Sequence, residues 1–396
     1  MDRKLNLIFR IASDCSDNRK KSNCTHDIVS MIRQRVYGLA LGYEDLNDHN
    51  ELRNDPGFQT AINKDKSLAS PPTLCRFENL ADRDLAWNIN SALVETFIES
   101  FKKPPKKIIL DFDPTDDPIH GKQEGSHYNG YYKCYCYLPL YVMCGSQLLT
   151  AYLRPSNIDG AKHVWAILSL LVKRIIQKWP RTKIIFRGDS GLCRHKMLDW
   201  CDRKKVKYIV GIGSNSRLLR FADEIIKKAK KRFEKTGKKQ RLFDEFSYAA
   251  NSWSRERRII VKAEYNKKGS NTRFIVTNMN GKPKKLYDKV YCLRGDMENR
   301  IKEQQLDLFA DRTSSHKWYS NQLRLLLSSL AYTLIDSIRR VGLCNTELAK
   351  AQAGTIRLKL LKIGAVIIKN TRAIYFHMSS AYPFKQLFSK VAHRLC

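Results

Sequence analysis

Hydrophobic positions in the first quarter of the chain recur at helical spacing. Ile28, Met31, Ile32 and Val36 fall three or four residues apart, as do Leu85, Ile89, Leu93 and Phe97. This is the stripe that an amphipathic helix buries. Residues 1–103 therefore read as all-helical, with a polar loop from Lys64 to Pro72 ending in Pro71-Pro72. At Lys106 the period changes. Lys107 to Asp113 is a short apolar strand stopped by Pro114, Tyr131 to Tyr141 a second strand, and Gln147 to Leu153 a third. A helix fits 159–179, with Val164, Leu168, Leu171 and Ile175 on one side. A fourth strand fits 183–189, a helix 193–203, and a fifth strand Val206 to Ile212.

Three strands, helix, strand, helix, strand is the order of the ribonuclease-H-like fold. The expected fold class is α/β: a mixed sheet flanked by helices, with an all-α N-terminal region and a β-rich insertion. Residues 214–290 form the insertion. In it, 217–241 is a basic, helical stretch with eleven Lys or Arg against three acids, and Arg257–Tyr265 and Arg273–Thr277 are paired strands. Helices follow from about Arg294 to Phe309 and from about Lys317 to Arg340. The expected division is 1–103 for DNA binding, 104–213 with 291–345 for catalysis, 214–290 for the basic insertion, and 346–396 for a basic C-terminal region. That last region reads as two strands, Thr355–Lys362 and Val366–His377, and a final helix.

Charge narrows the partners. Among 396 residues, Lys and Arg number 72 against 39 Asp and Glu, a formal net charge of +33. Such a surplus repels itself, so a polyanion is the natural partner, and nucleic acid fits because phosphate neutralisation releases counterions. No apolar run reaches membrane-spanning length, and the charged start has no signal-peptide pattern. Both point to a cytoplasmic, nucleoid-associated protein. The eleven cysteines include no Cys-x-x-Cys pair, so they read as reduced thiols rather than zinc ligands. His120, His127, His195 and His316 are scattered. Ser190 lies in Gly-Asp-Ser-Gly, which lacks the spacing of a serine-hydrolase elbow.

Three acids stand out of place. Phosphodiester transfer with two metal ions needs carboxylates converging from separate elements, because Mg²⁺ prefers oxygen ligands. Asp113 closes the first strand. Asp111 lies two residues earlier on the same face, so either can be the first ligand. Asp189 ends the fourth strand, where capping the next helix is the plainer job. Glu298 shares a helical face with Tyr291, Arg294, Lys302 and Gln305.

These stretches resemble the DDE transposases of bacterial insertion sequences, specifically insertion sequence family 1380. The resemblance rests on Leu110 to Gly121 (LDFDPTDDPIHG), Arg154 to Asn157 (RPSN), Arg187 to Gly191 (RGDSG), Ser252 to Arg258 (SWSRERR) and Met297 to Asp307 (MENRIKEQQLD). It implies that Asp113, Asp189 and Glu298 are catalytic and hold Mg²⁺ or Mn²⁺. It also implies cleavage at transposon ends, 3′-OH strand transfer into target DNA, and a homodimer on the terminal inverted repeats. Relatives carry Tyr-x2-Arg-x3-Glu-x6-Lys. Here Tyr291, Arg294 and Glu298 are in register, but Gln305 takes the Lys position, so phosphate contact passes to Lys302. Tyr291 and Arg294 would hold phosphate. Trp253, flanked by Arg255, Arg257 and Arg258, is either a base-stacking residue or a buried structural one, with Arg257 on the DNA. Relatives usually start several tens of residues earlier. A shortened, DNA-binding remnant is thus one alternative, and a nuclease on the same fold without strand transfer another.

Overall fold

The computed structural model describes residues 1–15, 17, 19 and 24–395. The expectation of helix over 1–103 therefore falls partly outside the described residues, at 16, 18 and 20–23. The centre is one mixed sheet, with a small second sheet beside it. The chain's strands as far as the end of the insertion are β1 (Lys107–Pro114), β2 (Asp117–Pro118), β3 (His127–Asn129), β4 (Cys134–Tyr137), β5 (Leu140–Cys144), β6 (Gln147–Tyr152), β7 (Lys183–Gly188), β8 (Lys207–Ile212), β9 (Gln240–Tyr248), β10 (Arg257–Asn266) and β11 (Gly269–Thr277). Eight of them form the sheet in the order β6-β5-β1-β7-β8-β11-β10-β9, while β2, β4 and β3 make a small separate sheet. β1, β7 and β8 run parallel, and β5 and β6 pair antiparallel on the other side. This is the mixed, helix-flanked sheet of the ribonuclease-H-like order read from the sequence.

The period-2 alternation of β1 decides where its side chains go. Leu110 and Phe112 join Val164, Leu168, Leu171 and Ile175 of the helix Val164–Lys178 in one core. Asp111 and Asp113 point to the opposite face, paired across the sheet with Met143 and Tyr141. That face is covered by the helix Trp318–Ser337, which is buried on nearly every side and packs Leu323, Leu326, Leu327 and Leu330 against the N-terminal helices. Gln322 on this helix accepts the Leu153 N–H at 2.7 Å and donates to the Ala151 carbonyl at 3.2 Å. These bonds satisfy the edge beside β6, where unpaired backbone groups would otherwise be left.

Several expectations are corrected. The stretch Tyr131–Tyr141 is not one strand, because Leu138 and Pro139 separate β4 from β5. The Pro71-Pro72 pair opens the helix Pro71–Asn79 rather than closing a loop, since the first helical positions need no N–H donor. The insertion contributes three strands, not two, and β11 pairs with β8, so it continues the central sheet. Thr355–Lys362 is helical instead of extended. Ala353, Ile356 and Leu360 fall into the core. Glu303 Oε1 accepts the Ala353 N–H at 2.7 Å, and Asp307 Oδ2 accepts that of Gly354 at 2.9 Å. Tertiary capping overrides the local preference. Beyond it, β12 (Ala365–Lys369) and β13 (Ile374–Met378) form a hairpin where one strand was expected.

Candidate active site

The parallel register of β1 and β7 runs from Lys107↔Lys183 to Phe112↔Gly188. One step further along both strands stand Asp113 and Asp189. Neighbouring strands lie about 4.8 Å apart, so the two acids emerge side by side at the C-terminal edge of the sheet. Asp111 is different. Its carboxylate is closed by Arg187, with Nε on Oδ1 and Nη2 on Oδ2, the latter at 2.6 Å. Arg187 also donates to the Val290 carbonyl. It therefore ties β1, β7 and the segment leading to the glutamate helix into one unit. Both Asp111 oxygens are engaged by Arg187, whereas Asp113 carries a single long contact, from Arg294 to Oδ2.

Asp113 is buried, and its one ion pair is a long one, 3.4 Å from Arg294 Nη1. Burial raises its carboxyl above the ordinary carboxylate range, to about 7. Arg294 pulls it down, while Asp189, Glu298 and Asp111 push it up. Asp189 precedes the single turn Ser190–Leu192, yet its side chain makes no capping hydrogen bond there. Its Oδ1 is buried without a hydrogen-bond partner. Leaving a carboxylate oxygen so placed costs about 1–3 kcal/mol or more, so the capping reading of Asp189 does not account for it. Gly191 lets the chain turn closely around this acid, since a Cβ there would come within 3.2 Å of Asp189 Oδ1.

The third acid arrives from the helix Gly295–Leu308. Glu298 is exposed and bound by Arg294 Nη2 at 2.7 Å. The Arg294 guanidinium thus lies between Asp113 and Glu298 and bridges them. Tyr291 stands one turn before. A Cβ on Gly211 of β8 would meet its hydroxyl at 2.6 Å and the Ser190 nitrogen at 2.8 Å, so only glycine lets β8 pack this closely. Burial and the negative charge of Asp189 raise the Tyr291 hydroxyl, while Arg294 opposes them. Beside it opens a cleft of about 380 Å³ whose lining includes Ser190, Lys262, Arg273, Tyr291 and Arg294.

The donor set is of the kind a divalent cation takes: all oxygen, one buried oxygen unpartnered, and a carboxyl raised by burial and then by neighbouring acids. Among the described residues no three His, Cys, Asp or Glu side chains are placed so that they could hold a metal ion together. Asp113 and Asp189 follow adjacent strand ends, and Arg294 links Glu298 to Asp113.

Comparison with known families is decisive for the class. A family model described as Transposase DDE domain group 1 matches residues 1–396. The chain belongs to this family. Among solved structures, a similar one is described as a cryo-EM structure of piggyBac transposase synaptic complex with hairpin DNA, at a TM-score of 0.48 and 11% identity, covering 90% of this chain and 76% of that one. Comparison with curated proteins gives no match. Among the described residues of this DDE-domain chain, no helix is long and apolar enough to cross a membrane.

The other expected DNA contacts divide. Lys302 is exposed, one turn beyond Glu298. Gln305, in the lysine position of the relatives, instead donates to the Asp116 carbonyl at 3.1 Å. The Arg257 side chain is only 1% exposed and paired with Asp199 and Asp202, and it donates to the Tyr208 hydroxyl at 2.8 Å. Its charge is closed inside the transposase domain, which corrects the expectation that it reaches DNA. Trp253 is half-buried, edge-on to Tyr248 at 5.6 Å and under the Arg257 guanidinium at 5.8 Å, so it packs as a structural residue. Arg187 was missed by sequence reasoning. The available signal was an arginine in the apolar run Lys183–Gly188, as misplaced as the aspartate in its neighbour Lys107–Pro114.

Proposed function

We propose that the chain is a DNA transposase of the insertion sequence family 1380 kind. In this reading it cuts at terminal inverted repeats and joins the freed 3′-hydroxyls to target DNA. The observation that carries the reading is the pair Asp113 and Asp189 at adjacent strand ends, with a buried Asp189 oxygen that nothing in the protein satisfies. Asp113, Asp189 and Glu298 would hold Mg²⁺ or Mn²⁺. The chemistry that such an ion supplies is Lewis-acid activation of water and of the leaving oxygen. Arg294 holds Asp113 and Glu298 in place and, with Tyr291, borders the cleft where a phosphate can be bound by charge-assisted hydrogen bonds. Lys302 extends the same helix face towards the phosphate backbone. The basic helix Asp223–Thr236 and the acid-free residues 348–396 serve as backbone tracks. Two inverted repeats call for two copies, hence a homodimer on DNA, working in the bacterial cytoplasm at the nucleoid.

A second reading is favoured by one observation: Arg294 occupies both Asp113 and Glu298, as in a remnant that binds DNA without cutting it. The test is incubation of the full chain with labelled inverted-repeat DNA and a target plasmid, with Mg²⁺ or Mn²⁺. Nicked ends and joined products that vanish in Asp189→Asn support the transposase. Cleavage without joined products leaves a nuclease, and salt-sensitive binding without cleavage leaves the remnant.

A further inference from the structure

The small sheet carries a surface that the active site does not use. Residues 128–135 contain four tyrosines, Tyr128, Tyr131, Tyr132 and Tyr135. Tyr131 is 85% exposed, Tyr135 58% and Tyr128 56%. A tyrosine ring contributes to a fold chiefly by burial, yet these three rings of the β3–β4 hairpin are mostly open. They are also ordered against one another. Tyr128 and Tyr135 meet edge-to-face at 5.6 Å, and Tyr131 and Tyr132 at 4.9 Å.

The turn beneath them is over-determined. Asn129 Oδ1 accepts the N–H groups of Tyr131 at 3.0 Å and Tyr132 at 3.2 Å. Asn129 Nδ2 donates to the Ser156 carbonyl at 2.9 Å, and Ser156 Oγ donates to that of His127 at 2.8 Å. Lys133, in the left-handed region at φ 58°, closes the turn by donating to the Asn129 carbonyl at 2.7 Å. Rings presented on so fixed a backbone lose little entropy when they bind.

The turn also stands over the catalytic edge. Asp113 pairs with Tyr141 of β5, and the strand before it, β4, pairs with Asp117 and with the segment leading to Ile119. β4 therefore rises from the same sheet end that carries Asp113. The Tyr132 hydroxyl feels this closeness: burial, with Asp116, Tyr131 and Asp113 behind it, pushes it up to about 12. Residues 125–158 contain no acid, while Lys133 sits at the tip.

We propose that Tyr128, Tyr131 and Tyr135 form a stacking platform for unpaired DNA bases beside the cut end. Every base offers a π-face, so such a platform tolerates sequence and leaves the phenol hydroxyls in water. The acid-free surroundings suit a polyanion, and self-association through the same rings is the other outcome the experiment separates. The placement beside the cut rests on the transposase reading, but the ring–base contact is measurable without cleavage.

The experiment uses the full chain and two labelled DNAs of equal length, a blunt duplex and one with a short unpaired 3′ overhang, followed by fluorescence anisotropy. Wild type should prefer the overhang. Tyr131→Ala and Tyr128→Ala should each weaken overhang binding about 5- to 100-fold, leave blunt-duplex binding unchanged, and relieve the quenching of 2-aminopurine placed in the overhang. Tyr131→Phe, which keeps the ring, should bind as wild type does. Equal losses on both DNAs, no loss on the overhang, or Tyr131→Phe failing as Tyr131→Ala does would overturn the platform. A change in self-association with DNA binding intact would overturn it too. Failure of the transposase reading looks different: no end is cut with Mg²⁺, yet the overhang preference and its loss in Tyr131→Ala persist.

Discussion

Asp111 and Asp113 lie two residues apart on one face of one strand, and their surroundings are opposite. Around Asp111 every charge is answered: Arg187 takes both oxygens and also reaches the Val290 carbonyl. Around Asp113 the charges are under-answered. One arginine at 3.4 Å faces Asp113 while also binding Glu298, and the neighbouring Asp189 keeps a buried oxygen with no partner. The same residue types thus serve structure where they saturate one another, and in the proposed function they serve chemistry where they do not. The Arg257 cluster with Asp199, Asp202 and Tyr208 belongs to the first kind. A misplaced charge in an apolar strand therefore signals a site only once its partners are counted.

The largest effect should come from the unsaturated side. Asp189→Asn is expected to lower the end-cleavage rate at least about 1,000-fold, roughly 4 kcal/mol of lost transition-state stabilisation. Stability should hold or rise, since a negative charge is removed from beside Asp113. Cleavage rates and a urea midpoint on the same preparation measure both. A fall in the midpoint would mean that the edge acids are structural after all, and the contrast with Asp111 would be lost.

The saturated side should behave inversely. Arg187→Met is expected to cost about 3 kcal/mol of stability, the low end for breaking a buried pair. The loss stays near that end because burial already raises the Asp111 carboxyl, with Arg187 holding it down, so the acid can protonate when its partner goes. Adding Asp111→Leu should restore much of the loss, as an apolar pair replaces an ionic one. Denaturant unfolding of the single and double variants reads this. Double-variant stability no better than that of the single would show that Arg187 acts mainly through the Val290 carbonyl.

The legible part of the molecule was the part with a strong local period. β1, β7 and β8 are short apolar runs with clear stops, the helix 164–178 carries a regular stripe, and these gave the sheet order and the two strand-end aspartates. The shared face of Arg294 and Glu298 was legible through their spacing, and the two side chains pair at 2.7 Å. What was not legible depends on tertiary partners. Gln240–Tyr248 begins inside the basic stretch read as helix to residue 241 and otherwise has no assigned element, but becomes β9 because β10 supplies the hydrogen bonds. Thr355–Lys362 looks extended until Glu303 and Asp307 cap the helical turns that begin at Ala353. Arg257 looked like a DNA-facing charge because sequence shows its cation but not Asp199 and Asp202, which arrive from a helix some 55 positions earlier.

A third prediction sharpens the comparison with a titration. His49 is fully buried. Arg35 Nη1 lies 3.3 Å from its Nε2, and Gln34 Nε2 lies 3.2 Å from its Nδ1. Both ring nitrogens face donors, so a second ring proton has no acceptor. Burial, and then Arg35, lower its pKa to about 3. The folded value lies below the unfolded one, about 6.5, so unfolding takes up a proton as the pH falls. Stability from this group is complete above about 6.5 and drains away towards 3, by about 2 kcal/mol at pH 5. Urea unfolding between pH 7.5 and 5 should show this slope, and His49→Asn should flatten it. A slope of equal size in the variant would place the acid sensitivity elsewhere.

The smallest effect concerns two cations that the sequence could not tell apart. Lys302 is exposed on the Glu298 face, and Arg257 is sealed within ion pairs. If openness is what assigns a charge to DNA, Lys302→Ala should weaken duplex binding only a few-fold, and evenly across sequences. It should also reduce the slope of log affinity against log salt by about 1, as expected when one fewer phosphate is neutralised. Arg257→Met should leave that slope alone, provided binding is measured at a temperature where the variant remains folded, because a guanidinium that never meets a phosphate releases no counterion. Anisotropy titrations from low to moderate salt separate the two. A reduced slope in Arg257→Met would mean that the ion-pair cluster opens on DNA, and burial in the free protein would then be a poor guide to which charges the DNA meets.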